Sequence, residues 1–184
     1  MRIFVDTNVL FPFSVMDFFL ALTEDAVHEV IWTEVLLGEW ERVIVRENRR
    51  SPRSAAAVTA AIRTFFPENQ VKEEAYLHLV PHMHGKDVDD RYHAAAAVAA
   101  GAEALVTWNV QDFPPLPLAG HGVRVLDPDT YLCELHEMMP DEIRETFLRM
   151  VAEKSSPPIS PEDMAGRLAR AGVSRFVKEM RERV

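Results

Sequence analysis

Residues 87–113 read DVDDRYHAAAAVAAGAEALVTWNVQDF, and the order of signals in this stretch decides the fold class. Asp87, Asp89 and Asp90 stand ahead of an alanine run with Val98, which predicts a helix over 89–100 whose first turn carries acids at the positive end of its dipole. Gly101 supplies the left-handed stop expected just past a helix end. Residues 104–107 then read as a buried strand, followed by Asn109, Asp112 and Pro114 as turn formers. A helix running into a strand, with an acid beyond the strand, is half of a parallel crossover unit.

Working outward, the pattern repeats. Residues 2–5 form a compact β-prone run stopped by Asp6, Thr7 and Asn8. Residues 15–22 are apolar all round except Asp17, as in a buried helix, and 29–32 read as a second strand. Thr33 can cap a helix with an apolar stripe of Leu36, Leu37, Trp40, Val43 and Ile44, and Ser51 with Pro52 starts another that stops before Pro67. The stretch 71–80 shows no clear period. Residues 123–126 read as a fourth strand, and Asp127 with Pro128 opens a further helix. This alternation predicts an α/β fold with a mostly parallel central sheet and helices on both faces, where ligands bind beyond the C-terminal strand ends. The expected division is a domain over 1–132 and a helical C-terminal extension over 133–184. A Pro/Ser-rich linker lies near 154–161, then a helix from Ser160, a break at Gly172 and a last amphipathic helix over 173–184.

Composition sets limits. The 184 residues are 48% hydrophobic and 27% charged, enough for one sizeable core, and no apolar run approaches the roughly 18 residues of a membrane span. The expectation is no membrane association. The apolar run Ile3, Phe4, Val5 is too short for a signal-peptide core of about 7 residues. One cysteine, Cys133, allows no intrachain disulfide, which fits a cytoplasmic location. The formal charge of −9 opposes broad adhesion to nucleic acid unless bound cations reverse the local field.

Four acidic segments converge on the predicted ligand edge. Asp6 ends the first strand. Glu39 lies at the polar margin of its helix stripe, beside Gly38. Asp87, Asp89 and Asp90 crowd one helix start, where one acid would suffice as a cap and three repel unless cations screen them. Asp112 follows the third strand. Each alone has an ordinary reading as a turn former, a cap or a solvated charge. Together they provide oxygen donors suited to magnesium or manganese, which orient a phosphodiester and lower the pKa of an attacking water.

At this point the sequence resembles a known family, the PIN domains, and in particular the VapC-type toxin endoribonucleases. The resemblance covers roughly residues 1–132. It rests on the strand ending in Asp6-Thr7-Asn8, the helix carrying Glu39, the segment Asp87 to Arg91 running into alanines, and Val106-Thr107-Trp108-Asn109 leading to Asp112-Phe113-Pro114. It implies a three-layer α/β/α fold with Asp6, Glu39, Asp90 and Asp112 as catalytic, metal-binding acids for Mg2+ or Mn2+. Thr7, Asn8, Asp87, Thr107 and Asn109 would be supporting polar groups. It further implies RNA cleavage leaving a 5′-phosphate and a 3′-hydroxyl, a homodimer, and inhibition by a small antitoxin protein.

Other residues invite different readings. Lys86 and Arg91 stand nearest the acids as candidate substrate contacts. Arg46, Arg49 and Arg50, with Arg42 and Arg53, form the densest basic stretch and could guide an RNA backbone or simply offset a helix dipole. His82-Met83-His84 could suggest a transition-metal phosphoesterase, but the remaining histidines show no ligand spacing. A haloacid-dehalogenase-type phosphatase also begins with a strand ending in Asp, but it needs a second acid where Asn8 stands. A PIN-like module that binds RNA or protein without cutting is the alternative from a different class.

Overall fold

A computed structural model describes residues 1–182. In chain order the elements are β1 (Arg2–Val5), α1 (Phe13–Glu24), β2 (Glu29–Ile31), α2 (Glu34–Arg46), α3 (Pro52–Phe65), α4 (Glu73–Tyr76), α5 (Val88–Ala99), β3 (Ala104–Val106), α6 (Pro115–Leu118), β4 (Arg124–Leu126), α7 (Pro128–Met138), α8 (Pro140–Glu153), α9 (Pro161–Arg170) and α10 (Ser174–Glu182), with short 3-10 turns between several of them. The last two residues of the helix expected over 173–184 lie outside the described residues.

The four strands form one sheet in the order β2-β1-β3-β4, and every pairing is parallel. From β1 the chain crosses through α1 to β2 on one side, then returns through α2–α5 to β3 on the other. Right-handed crossovers in opposite directions place α1 and α5 on opposite faces, giving three layers. The direction changes between β1 and β3, and in open sheets of this kind ligands bind beyond the C-terminal strand ends at that point. Ile3, Phe4 and Val5 are fully buried and β3 is buried throughout, as central parallel strands require.

Local chemistry explains the helix ends. Thr33, Ser51, Asp87, Asp127 and Ser160 each accept a backbone N–H at the start of the helix that follows, satisfying donors that have no partner within the helix. Ala94, Ala95, Ala96 and Ala97 are all fully buried, and their small side chains let α5 lie close on the sheet, with the His93 ring 5.3 Å from that of Phe4. The second strand ends at Ile31, one residue earlier than expected, and Trp32 continues only as a single bridge to Gln70. The stretch without clear period becomes α4 and the 3-10 turn Leu77–His82. Pro81 interrupts it and only Tyr76 is buried there, so no helical stripe could form. Among the described residues no helix is long and apolar enough to cross a membrane.

The C-terminal helices share the main core. Phe18 of α1 meets Phe147 of α8 and Phe176 of α10, with ring centroids 6.2 and 5.6 Å apart. Asp129 accepts the backbone N–H groups of Arg175 and Phe176 at 3.2 and 2.9 Å, which ties the start of α10 to α7. Residue 132, where the sequence divides the chain, falls inside α7. At the α9–α10 turn Gly172 adopts φ +115°, and a Cβ built there would lie 2.6 Å from the Trp108 ring. That contact seats the extension against the loop after β3.

Two predictions follow from this packing. Gly172→Ala combines an unfavourable backbone angle with a clash on Trp108 and lowers stability by about 2 kcal/mol in urea unfolding. His28 is buried between the Tyr131 hydroxyl (2.7 Å) and the Phe19 carbonyl (2.9 Å), and burial lowers its pKa to about 4. The unfolded chain therefore takes up a proton that the folded chain resists. The His28 contribution is complete above about pH 6.5 and falls as the pH drops towards 4, by about 3 kcal/mol at full effect. Urea midpoints measured between pH 7 and pH 4 check this, and His28→Gln, although less stable at pH 7, shows a smaller decline.

Candidate active site

β1 carries Asp6 to this switch point. The Asp6 backbone N–H donates to Val106 at 2.9 Å, extending the β1–β3 ladder by one residue and setting Asp6 beside Thr107. The residue is 6% exposed, so its carboxylate needs strong partners. Oδ2 accepts from Thr107 Oγ1 at 2.6 Å and from Asn8 Nδ2 at 2.7 Å. Oδ1 lies 3.3 Å from His93 Nδ1. Thr107 Oγ1 also accepts from Asn8 Nδ2 (3.1 Å) and from the Asn109 N–H (3.0 Å), which uses the full capacity of a hydroxyl. Asn8 Oδ1 accepts the Trp108 N–H at 3.0 Å. Asp6, Asn8 and Thr107 are thus one network.

Glu39 enters from α2. Its Oε2 accepts from Thr7 Oγ1 at 2.8 Å and lies 3.2 Å from His93 Nε2. His93, 1% exposed on α5, therefore stands between two carboxylates. Neither ring nitrogen makes a well-aligned hydrogen bond, so these contacts are chiefly electrostatic. Burial alone would lower the His93 pKa, but Asp6 and Glu39 more than offset this and raise it to about 9. The positive charge of an imidazolium balances part of the buried negative charge.

The N-terminus of α5 brings the remaining acids. Asp87 and Asp90 form a reciprocal capping box: Asp87 Oδ1 accepts the Asp90 N–H and Asp90 Oδ2 accepts the Asp87 N–H, both at 3.0 Å. The crowding that the sequence assigns to cations is thus met in part by capping. Burial, with the nearby charges of Asp87 and Asp6, holds the Asp90 carboxyl above its usual range. A Cβ on Gly85 would come within 2.5 Å of Asp90 Cβ, so glycine lets the preceding loop close on this helix end. Asp112, in the 3-10 turn Val110–Asp112, lies 3.7 Å from Lys86 Nζ. Asp89 points towards Arg42 at 3.9 Å.

Not every expected residue joins the cluster. Arg91 and Asn109 have exposed side chains. Arg46, Arg49, Arg50 and Arg53 do not form one helical stripe, because α2 ends at Arg46 and Asn48 turns the chain with φ +54°. Arg46 pairs with Glu47 (3.3 Å), while the Arg50 guanidinium lies 4.0 Å over the Phe13 ring and donates to Ser54. Their recurrent spacing in the sequence spans a turn. His82 and His84 are exposed. The residue that sequence reasoning passed over is His93. Its position three residues after Asp90 on one helix was the available signal, since such residues share a face.

The oxygen donors suit a hard divalent ion. Among the described residues no three His, Cys, Asp or Glu side chains close around a single point. Magnesium characteristically takes only one or two carboxylates, keeping waters and substrate phosphate oxygens for the rest, so an open acidic edge fits it better than a cage. Asp6, Glu39, Asp90 and Asp112 are the residues from which its one or two carboxylates would come.

Comparison with known proteins agrees with this architecture. Residues 2–111 match the family model described as PIN domain, and residues 128–182 match one described as VapC50 C-terminal domain. Over 75 residues the chain is 32% identical to a Mycobacterium tuberculosis (strain H37Rv) protein named "Putative ribonuclease VapC50"; the match covers 41% of this chain and 44% of that protein, less than half of either. No solved structure matches significantly. An all-parallel sheet with acids at its switch point, and a PIN model that spans more than half of its length, place this chain in the PIN domain family.

Proposed function

We propose that the chain is a divalent-metal-dependent endoribonuclease, the toxin of a toxin-antitoxin pair. The observation that supports this most is Asp6: a buried carboxylate at the sheet's switch point, oriented by Thr107 and Asn8, with Glu39 and Asp90 alongside. When bound, Mg2+ or Mn2+ would supply charge neutralisation at the scissile phosphate and a water acidified for attack. The residues of the chain do the rest. Thr107 and Asn8 fix the Asp6 carboxylate, and Thr7 fixes Glu39. His93 offsets part of their mutual repulsion, and Lys86 beside Asp112 stands where a phosphate would approach. No side-chain nucleophile is involved, and the products carry a 5′-phosphate and a 3′-hydroxyl. A homodimer, a small antitoxin protein as inhibitor and a cytoplasmic location complete the reading. Asp112 completes the set of metal-binding acids, Asp87 is an outer acid, Asn109 a supporting polar group and Arg91 a substrate contact.

One observation favours a second reading, a PIN-like module that binds RNA or protein without cutting. His93 and Lys86 already offset the charge of three of the four acids, Asp6, Glu39 and Asp112, without any metal ion. Activity distinguishes the two. With manganese at low salt the purified protein cuts structured RNA, a chelator stops it, and added manganese restores it. Asp6→Asn lowers the rate at least about 100-fold. Absence of manganese-dependent cleavage, or wild-type rates in Asp6→Asn, would sink the nuclease reading and leave the binding module.

A further inference from the structure

A cleft of about 590 Å³ opens between the start of α1 and the segment that joins α8 to α9. Its charged lining comprises Asp17, Glu153, Lys154, Arg167 and Arg170. Most of these charges are already matched: Lys154 Nζ lies 2.7 Å from Asp17 Oδ2, and Glu153 accepts from Arg149 at 2.9 Å. Among the described residues Arg167 and Arg170 have no carboxylate within ion-pair distance. They follow one another at three-residue spacing on α9, both exposed, and Gly166 lets the Arg170 guanidinium fold back against the helix, with Nη1 3.3 Å from where a Cβ would stand. In a chain of net charge −9, a cleft whose surplus charge is positive is set apart from its surroundings.

One aromatic contact joins the cleft to the helix that carries Glu39. Phe13, which lines it, packs edge-on against Trp40 with centroids 6.4 Å apart, and Trp40 follows Glu39 in α2. On the same Phe13 ring sits the Arg50 guanidinium. Arg50 therefore stacks on a ring that also lines the cleft holding Arg167 and Arg170.

We propose that this cleft binds the phosphate backbone of the RNA strand flanking the scissile bond, with Arg167 and Arg170 each neutralising a phosphate. The assignment rests on the ribonuclease reading and gives the C-terminal extension a role in holding substrate. A single strand tracks such a groove through its charges, without base readout. The acids hold the phosphate to be cut, while the cleft holds neighbours that take no part in bond breaking.

The test uses the full-length chain and a fluorescein-labelled single-stranded oligouridylate. Binding is read by anisotropy in EDTA, and cleavage of the same RNA separately in manganese. Replacing both arginines (Arg167→Ala with Arg170→Ala) weakens binding about ten-fold at low salt and reduces the slope of log K against log salt by about 1.4, roughly 0.7 per lost phosphate contact on a single strand. In manganese KM rises by a similar factor with kcat unchanged. The control pair Arg144→Ala with Lys178→Ala removes the same charge away from the cleft and leaves slope and KM near wild type. Equal losses from both pairs, no effect of the cleft pair, or no RNA binding by the wild-type chain would each overturn the assignment. If the wild type binds through the cleft but cuts nothing, the ribonuclease reading fails and the cleft stands only as a site for RNA backbone, with no scissile bond to flank. If it cuts and the arginine pair has no effect, only the cleft assignment falls.

Discussion

The structure depends on keeping one carboxylate buried. Asp6 sits at the end of the central strand, and a charge withdrawn from water at such a place costs several kcal/mol unless hydrogen bonds and opposite charge replace the lost hydration. Thr107 and Asn8 provide the first and His93 the second. Each partner carries the constraint outward. Thr107 fixes the strand-end register, Asn8 holds the Trp108 backbone, and His93 brings Glu39 into range. Trp108 in turn is packed against Gly172, so the far extension bears on the same loop. A disturbance at Asp6 reaches α2, α5 and the turn before α10.

This network also accounts for how an acidic protein keeps an acidic edge. The acids are not left facing one another: Asp6 and Glu39 share an imidazole, Asp87 and Asp90 cap one helix reciprocally, and Asp112 has a lysine near it. Such an arrangement offsets part of the negative charge from within the chain itself.

The legible part of the fold was the part governed by local rules. Apolar runs closed by Asp6 and Thr107 marked the central strands. Thr33, Ser51, Asp127 and Ser160 marked helix starts, because an uncapped N-terminus leaves donors without partners. The alanines of α5 marked a helix, and Gly101 its end. What escaped depends on tertiary distance. His93 carries no local signal beyond its spacing from Asp90, since Asp6 and Glu39 reach it from two other elements. The arginines after α2 recur at helical spacing although the chain turns between them, and spacing cannot reveal that a helix has ended. The seat of Trp108 on Gly172 joins residues 64 positions apart in the sequence, which no window could connect. Within the site, mutual contact was not readable.

The central claim is that these carboxylates form a binding edge for a hard divalent ion. Crystals soaked in manganese and recorded at its anomalous edge test it most directly. The account predicts anomalous density at the edge bounded by Asp6, Glu39, Asp90 and Asp112, at the roughly 2.1 Å oxygen distances of small divalent ions. Manganese bound only elsewhere, or no density there while the His93 ring remains between Asp6 and Glu39, would contradict it.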